Sequence, residues 1–239
     1  MQKSIFPDKY RILSGSMLKL IAMISMLIDH TAFILAPVLP YMVTPLLTFA
    51  GREITLYWIM RKIGRIAFPI FCFLITEGYT HTRNKFKYGL NLLIFAIISE
   101  IPFNLVFNRF FIFKYQNVFF TLFLGLLLIY ILESVSNQFK KAILMGIVVV
   151  ISMYINCDYG FKGVLLILLI YLLKNNPVPQ AILSYPLLSG GLAALTAFLP
   201  INLYSGKRGF IKSNTLKYGF YLFYPIHIVI LVIIKTILK

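Results

Sequence analysis

Lys19 and His30 are the pair whose types and spacing point most directly to chemistry. They lie eleven residues apart in one apolar run, three helical turns to within about 20°, so a helix projects both from one face, about 16 Å apart along its axis. Met23 and Met26 fall between them on that face. An imidazole of ordinary pKa, near ~6.5, is a ready general base at neutral pH. A cation in a water-poor place binds anions or steadies a developing oxyanion. Asp29 is rotated by about 100° from His30 on a helix. It is therefore expected to meet a cation on a neighbouring helix rather than brace the imidazole from its own. A plainer reading stands beside this one: His30 as a helix-end histidine, hydrogen-bonded at the membrane interface.

Six of the seven acids, Asp29, Glu53, Glu77, Glu100, Glu133 and Asp158, lie in or next to apolar runs. An ionisable side chain costs about 2.5–3.5 kcal/mol there on insertion scales, which makes each a functional candidate. Glu133, beside Ser134 and Ser136, fits a helix end, and Asp158 in the turn Asn156–Gly160 fits a turn cap. Arg61 and Arg65 share a helix face at i, i+4. Pro69, Pro102 and Pro225 each free a carbonyl and kink an apolar helix beside aromatic residues. An aromatic belt accounts for Tyr218, Tyr221 and Tyr224, whereas His227 lies deeper in its run. His81, in the polar break Thr80–Asn84, is expected outside any site. His30, His81 and His227 are too far apart in sequence for a recognisable ligand motif, so no metal is expected. Cys72 and Cys157 suit neither a disulfide framework nor zinc and are expected as small buried residues.

These residues need a scaffold, and composition limits what it is. Of 239 residues, 60% are hydrophobic and only 13% charged, with mean hydropathy +0.87. A water-facing domain has about 25% charged residues, so no soluble domain fits. The expected fold is all-α: a polytopic transmembrane helical bundle of about 8–10 spans, one domain over residues 1–239. Apolar runs place spans at about 16–36, 63–80, 88–107, 117–134, 142–156, 163–173, 180–200 and 216–237. The run 41–60 is apolar enough to cross, but Arg52 and Glu53 sit in its middle. The cation balance of the loops favours crossing and an N-terminus inside; the Arg-Glu pair favours a re-entrant or amphipathic segment. The first run has no small-x-small cleavage site and reads as an uncleaved first span. The net charge of +16 suits anionic lipid heads or an anionic ligand. The cations are scattered between apolar runs, which disfavours nucleic acid.

Several blocks, in order along nearly the whole chain, resemble the TraX family of conjugal-transfer membrane proteins. They are Leu18–Met23 with Ile28-Asp29-His30, Ile63–Phe71 with Glu77-Gly78, Ser99–Phe103, Asn117–Leu122, Tyr159-Gly160 and Phe220–His227. The resemblance implies an acetyltransferase in a bacterial cytoplasmic (inner) membrane, because the namesake is linked to N-terminal acetylation of conjugative pilin. It also implies kinship with transmembrane acyltransferases whose first span carries Arg or Lys, ten residues, then His; Lys19 and His30 match. In such an enzyme His30 is the general base, with Asp29 or Glu100 orienting it or pairing with Arg65. Lys19, Arg61 and Arg65 hold the phosphates of acetyl-CoA or the thioester oxyanion, and Glu77, Tyr224 and His227 complete the substrate cavity. No permanently bound cofactor is implied. The partners are acyl-CoA, membrane lipids and a protein, glycan or lipid acceptor that the resemblance does not fix. A different class stays open: a transporter, flippase or assembly scaffold, in which the same charges are a substrate path or helix glue.

Overall fold

The computed structural model describes residues 3–107, 114–211 and 213–239, leaving aside the side chain of Asn214. The apolar runs become helices because polar residues stand where the first free N–H groups need acceptors. Helix α1, Gly15–Leu35, begins at Ser14, whose hydroxyl accepts from the Met17 amide. After it come a two-stranded antiparallel hairpin, β1 Pro45–Phe49 and β2 Arg52–Thr55, and the short helix α2, Leu56–Gly64, capped by Thr55. Helix α3 is Ala67–His81. Asn84, Asn117 and Asn137 cap α4 (Lys85–Leu105), α5 (Val118–Ser134) and α6 (Gln138–Tyr154). Helix α7, Gly160–Leu172, follows a left-handed Tyr159. Three short pieces, α8 Pro177–Ser184, α9 Leu192–Leu195 and α10 Phe198–Asn202, lead to the long α11, Asn214–Ile237.

The chain is all-α apart from the hairpin, among the described residues. Three segments are long and apolar enough to cross a membrane: α1 with its extension to Val38, α4, and α11 from Thr215. Their outward faces are apolar. Ile24, Ile97 and Ile230 are each at least half exposed, a surface that suits lipid and not water. Inside, Leu18, Ile70, Phe73, Tyr79 and Ile167 are fully buried in one core. Helix α1 packs on α2, α3 and α11; α5 packs on α4, α6 and α7.

Two expectations about spans are corrected. The run 41–60 does not form the crossing helix that the cation balance favours; it folds back on itself, as the re-entrant reading expects. Its middle turns back at Ala50-Gly51, both at positive φ, and Arg52 and Glu53 sit exposed on β2. The run 180–200 is not one helix either. Pro186 and the Gly190-Gly191 pair, with Gly191 at φ 59, divide it, whereas Pro200 sits within α10.

Glu100 is a clasp in this fold. Its Oε1 accepts from the backbone N–H of Asn117 (2.9 Å) and from Asn117 Nδ2 (2.5 Å), and its Oε2 from Asn104 Nδ2 (3.2 Å). Asn117 Nδ2 also donates to the Ala96 carbonyl, while its Oδ1 caps α5 at Phe119. The carboxylate thereby ties α4 to the first turn of α5. Glu100→Ala orphans buried donors at about 1–3 kcal/mol each. The variant is expected to lose thermal stability markedly, and Glu100→Gln to lose less, as a melting series in detergent will measure. Equal stability of Glu100→Ala and wild type would contradict the clasp.

Candidate functional site

The second half of α1 meets α11 through two histidines. His30 Nδ1 and His227 Nε2 are 2.6 Å apart, and His227 Nδ1 is 2.6 Å from the Phe223 carbonyl. A carbonyl only accepts, so His227 Nδ1 carries a proton and donates it. With both rings neutral, His227 Nε2 then accepts and His30 Nδ1 donates. His30 Nε2 is left with its lone pair, the arrangement a general base requires. The rings are nearly coplanar, and Tyr224 stands edge-on to both, 5.9 Å from His30 and 5.8 Å from His227. Pro225 interrupts the α11 ladder just before this pair.

A cavity of about 520 Å³ runs along the other part of the same α1 face. Lys19, Met23 and Met26 line it from α1, Glu77 and His81 from α3, and Tyr221 and Tyr224 from α11. It ends one ring short of His30, at Tyr224. Its charged rim joins Lys19 to Arg208 and Lys217. The rim is built by a loop stitched to the start of α1. The amides of Gly15 and Ser16 donate to the carbonyls of Lys207 and Arg208, and Ser16 Oγ donates to Arg208 and accepts from Ile211 N–H. Gly209, at φ 86, lies so close to Ser14 and Ser16 that a Cβ there would collide with them. On the cavity wall Glu77 pairs with His81 Nε2 at 3.3 Å. The neighbouring Tyr204 hydroxyl is pushed well up by burial and by the Glu77 carboxylate, so it stays protonated and donates.

The remaining candidates lie elsewhere. Arg61 Nη1 is 2.6 Å from Asp29 Oδ2, the helix-to-helix pairing expected for Asp29. That pairing corrects the orienting role: among the described residues no hydrogen bond joins Asp29 or Glu100 to His30. Arg61 and Arg65 sit with α2 against the Asp29 end of α1, ten residues or about 15 Å from Lys19 along the helix, so the three do not form one phosphate site. Arg61 and Arg65 do face the same way as expected: Arg65 caps α2 with its backbone still in the αR region, and both line one recess. His81, expected outside the site, is on the cavity wall. The belt reading fails for Tyr221, which stacks on Phe95 at 4.8 Å and lines the cavity, and for the buried Tyr224. Arg208 and Lys217 were missed as site residues. Their signal was the glycine-flanked Lys207-Arg208 pair and a cation opening the last apolar run, but only the fold carries them to α1.

Gly64 packs directly on the Asp29 side chain, where a Cβ would overlap it. Gly64→Ala must displace Asp29 or α2, and is expected to cost about 1–3 kcal/mol of stability. A melting curve checks this, and an unchanged midpoint would contradict the close approach.

The family described as TraX protein matches residues 14–235. The chain belongs to the TraX family. It is also similar to a probable fimbrial assembly protein FimC, serogroup H1, of Dichelobacter nodosus, with 30% identity over 95% of this chain and 97% of that protein. An uncharacterized protein, RP591, of Rickettsia prowazekii (strain Madrid E) is 29% identical over 67% of this chain and 56% of its own length. No solved structure matches. The matched range takes in every residue of the cavity and the histidine pair, and with the three apolar spans it makes this TraX chain a membrane protein.

Proposed function

We propose that this TraX chain is a multi-pass protein of the bacterial inner membrane that transfers acetyl from acetyl-CoA to an amine or hydroxyl. The observation that carries the reading is the apolar cavity that leads from a cationic rim to the wall of a histidine pair with one free imidazole lone pair. The nucleotide phosphates stay at the rim, on Lys19, Arg208 and Lys217, where charge-assisted hydrogen bonds hold them. The pantetheine arm lies along Met23, Leu74 and Met26, and side-chain movement at Tyr224 opens the last step to His30. His30 Nε2 takes the acceptor's proton as its nitrogen or oxygen attacks the thioester carbonyl. The C–S bond breaks, a C–N or C–O bond forms, and the proton passes to the departing CoA sulfur. His227 is a positioning residue that fixes the His30 tautomer. With the N-terminus inside, the rim faces the cytoplasmic acetyl-CoA pool.

The acceptor in this reading is a pilin-like or envelope component, which the fimbrial relative supports. The same printed description favours a second reading, a non-enzymatic assembly factor. Radiolabelled acetyl-CoA supplied to proteoliposomes with an envelope fraction separates them. The enzyme labels an acceptor, whereas an assembly factor leaves all the label on CoA.

A further inference from the structure

A second pocket, about 310 Å³, lies at the opposite end of α1 from the cationic rim. Tyr57, Trp58, Arg61, Lys62 and Arg65 line it from α2 and its C-cap, and Ser189 and Gly190 close it. Its charges are unevenly satisfied. Arg61 is bound to Asp29 and lies over the Phe33 ring. Lys62 lies over Trp58, 5.4 Å from the ring centre. Arg65 is half-buried; its backbone N–H bonds to the Lys62 carbonyl, and among the described residues no hydrogen bond or ion pair joins its guanidinium. The acids within electrostatic reach are Asp29, whose Oδ2 holds Arg61 while its buried Oδ1 accepts no hydrogen bond among the described residues, and Asp158, whose Oδ1 accepts from Tyr159 N–H. A guanidinium and an ammonium facing one recess with aromatic walls are matched to an oxyanion that accepts several hydrogen bonds at once. Arg61, on the wall of this recess, is tied to Asp29, the residue before His30 in α1.

We propose that this pocket binds a phosphate-type oxyanion carried by the acceptor, with Arg65 and Lys62 as its ligands. The acceptor's part in this rests on the acetyltransferase reading; the anion site itself does not. The oxyanion belongs to a bilayer lipid or to a soluble molecule, and the test has an arm for each. Trp58 is the single tryptophan of the chain, so its emission reports on this pocket alone. The full chain in phosphatidylcholine vesicles is titrated with inorganic phosphate against chloride at equal ionic strength, and in parallel with increasing phosphatidylglycerol in the vesicles. A saturable change in Trp58 emission is expected, with half-saturation moved about tenfold higher in Arg65→Gln and in Lys62→Gln. A response to phosphate assigns a soluble source, and a response to phosphatidylglycerol alone a lipid headgroup. In the transfer assay Arg65→Gln is expected to raise the acceptor KM and leave acetyl-CoA binding unchanged. Flat emission in both arms, or a response undiminished in both variants, overturns the anion site. Absence of acetyl transfer by wild type with the Trp58 response intact removes the acceptor role and leaves the site standing.

Discussion

His30→Gln is expected to reduce acetyl transfer by about 10²–10⁴-fold, the usual contribution of a positioned general base. An amide can still donate to His227 Nε2 in place of the imidazole Nδ1–H, so the tie between α1 and α11 is kept and melting should stay close to wild type. It cannot take a proton at neutral pH. Binding of acetyl-CoA, governed by the rim, should be unchanged. His227→Phe should also lower the rate with donor affinity intact, because His30 then loses the partner that fixes its tautomer. A structural His30 predicts the reverse: glutamine largely restores function, and alanine mainly lowers stability. Rate and melting point measured on the same preparations decide between the two.

The second large effect is expected at the rim. Lys19→Ala, Arg208→Ala and Lys217→Ala each remove one charge-assisted contact worth about 1.5–3 kcal/mol, or roughly ten- to a hundredfold in affinity. The three charges sit near one another, so the combined loss is not the simple product. Calorimetry with acetyl-CoA should show weaker binding in each variant, and salt should weaken wild-type binding more than that of the triple variant. Arg61→Ala, at the far end of α1, should leave donor affinity unchanged. If Arg61→Ala weakens donor binding and the rim variants do not, the donor enters from the other end.

Most helices were legible because the signals are local, but not all of their starts were. The run read from 63 begins in the end of α2 and α3 starts at Ala67, and the run read from 142 starts at Gln138. Asparagine and serine caps precede long apolar runs, and insertion into lipid leaves the backbone little choice but helix. The segment 41–60 misled because its composition is that of a span while its Ala50-Gly51 turn and the β-branched Ile54 and Thr55 favour a hairpin. The 180–200 run misled because its prolines and glycines had to be read as breaks and not as kinks. In the site, the same-face logic of one helix placed Lys19, Met23 and Met26 on the cavity wall. Which helix brings the partner was not legible: His227, 197 residues away, reaches His30, while Asp29, its neighbour in sequence, turns to Arg61. Glu100 shows the limit most clearly. Its buried acidity suggested chemistry, and three hydrogen bonds to two asparagines make it a clasp.

The central claim is that one molecule of acetyl-CoA occupies the α1 cavity and gives up its acetyl group with help from His30. Native mass spectrometry of the purified chain, incubated with acetyl-CoA and a crude membrane extract, tests donor and acceptor together. The account predicts one acetyl-CoA on wild type, free CoA and an acetylated extract component after incubation, and bound but unconsumed acetyl-CoA on His30→Gln. Wild type that binds no acetyl-CoA, or a His30→Gln variant that consumes it at the wild-type rate, would contradict it.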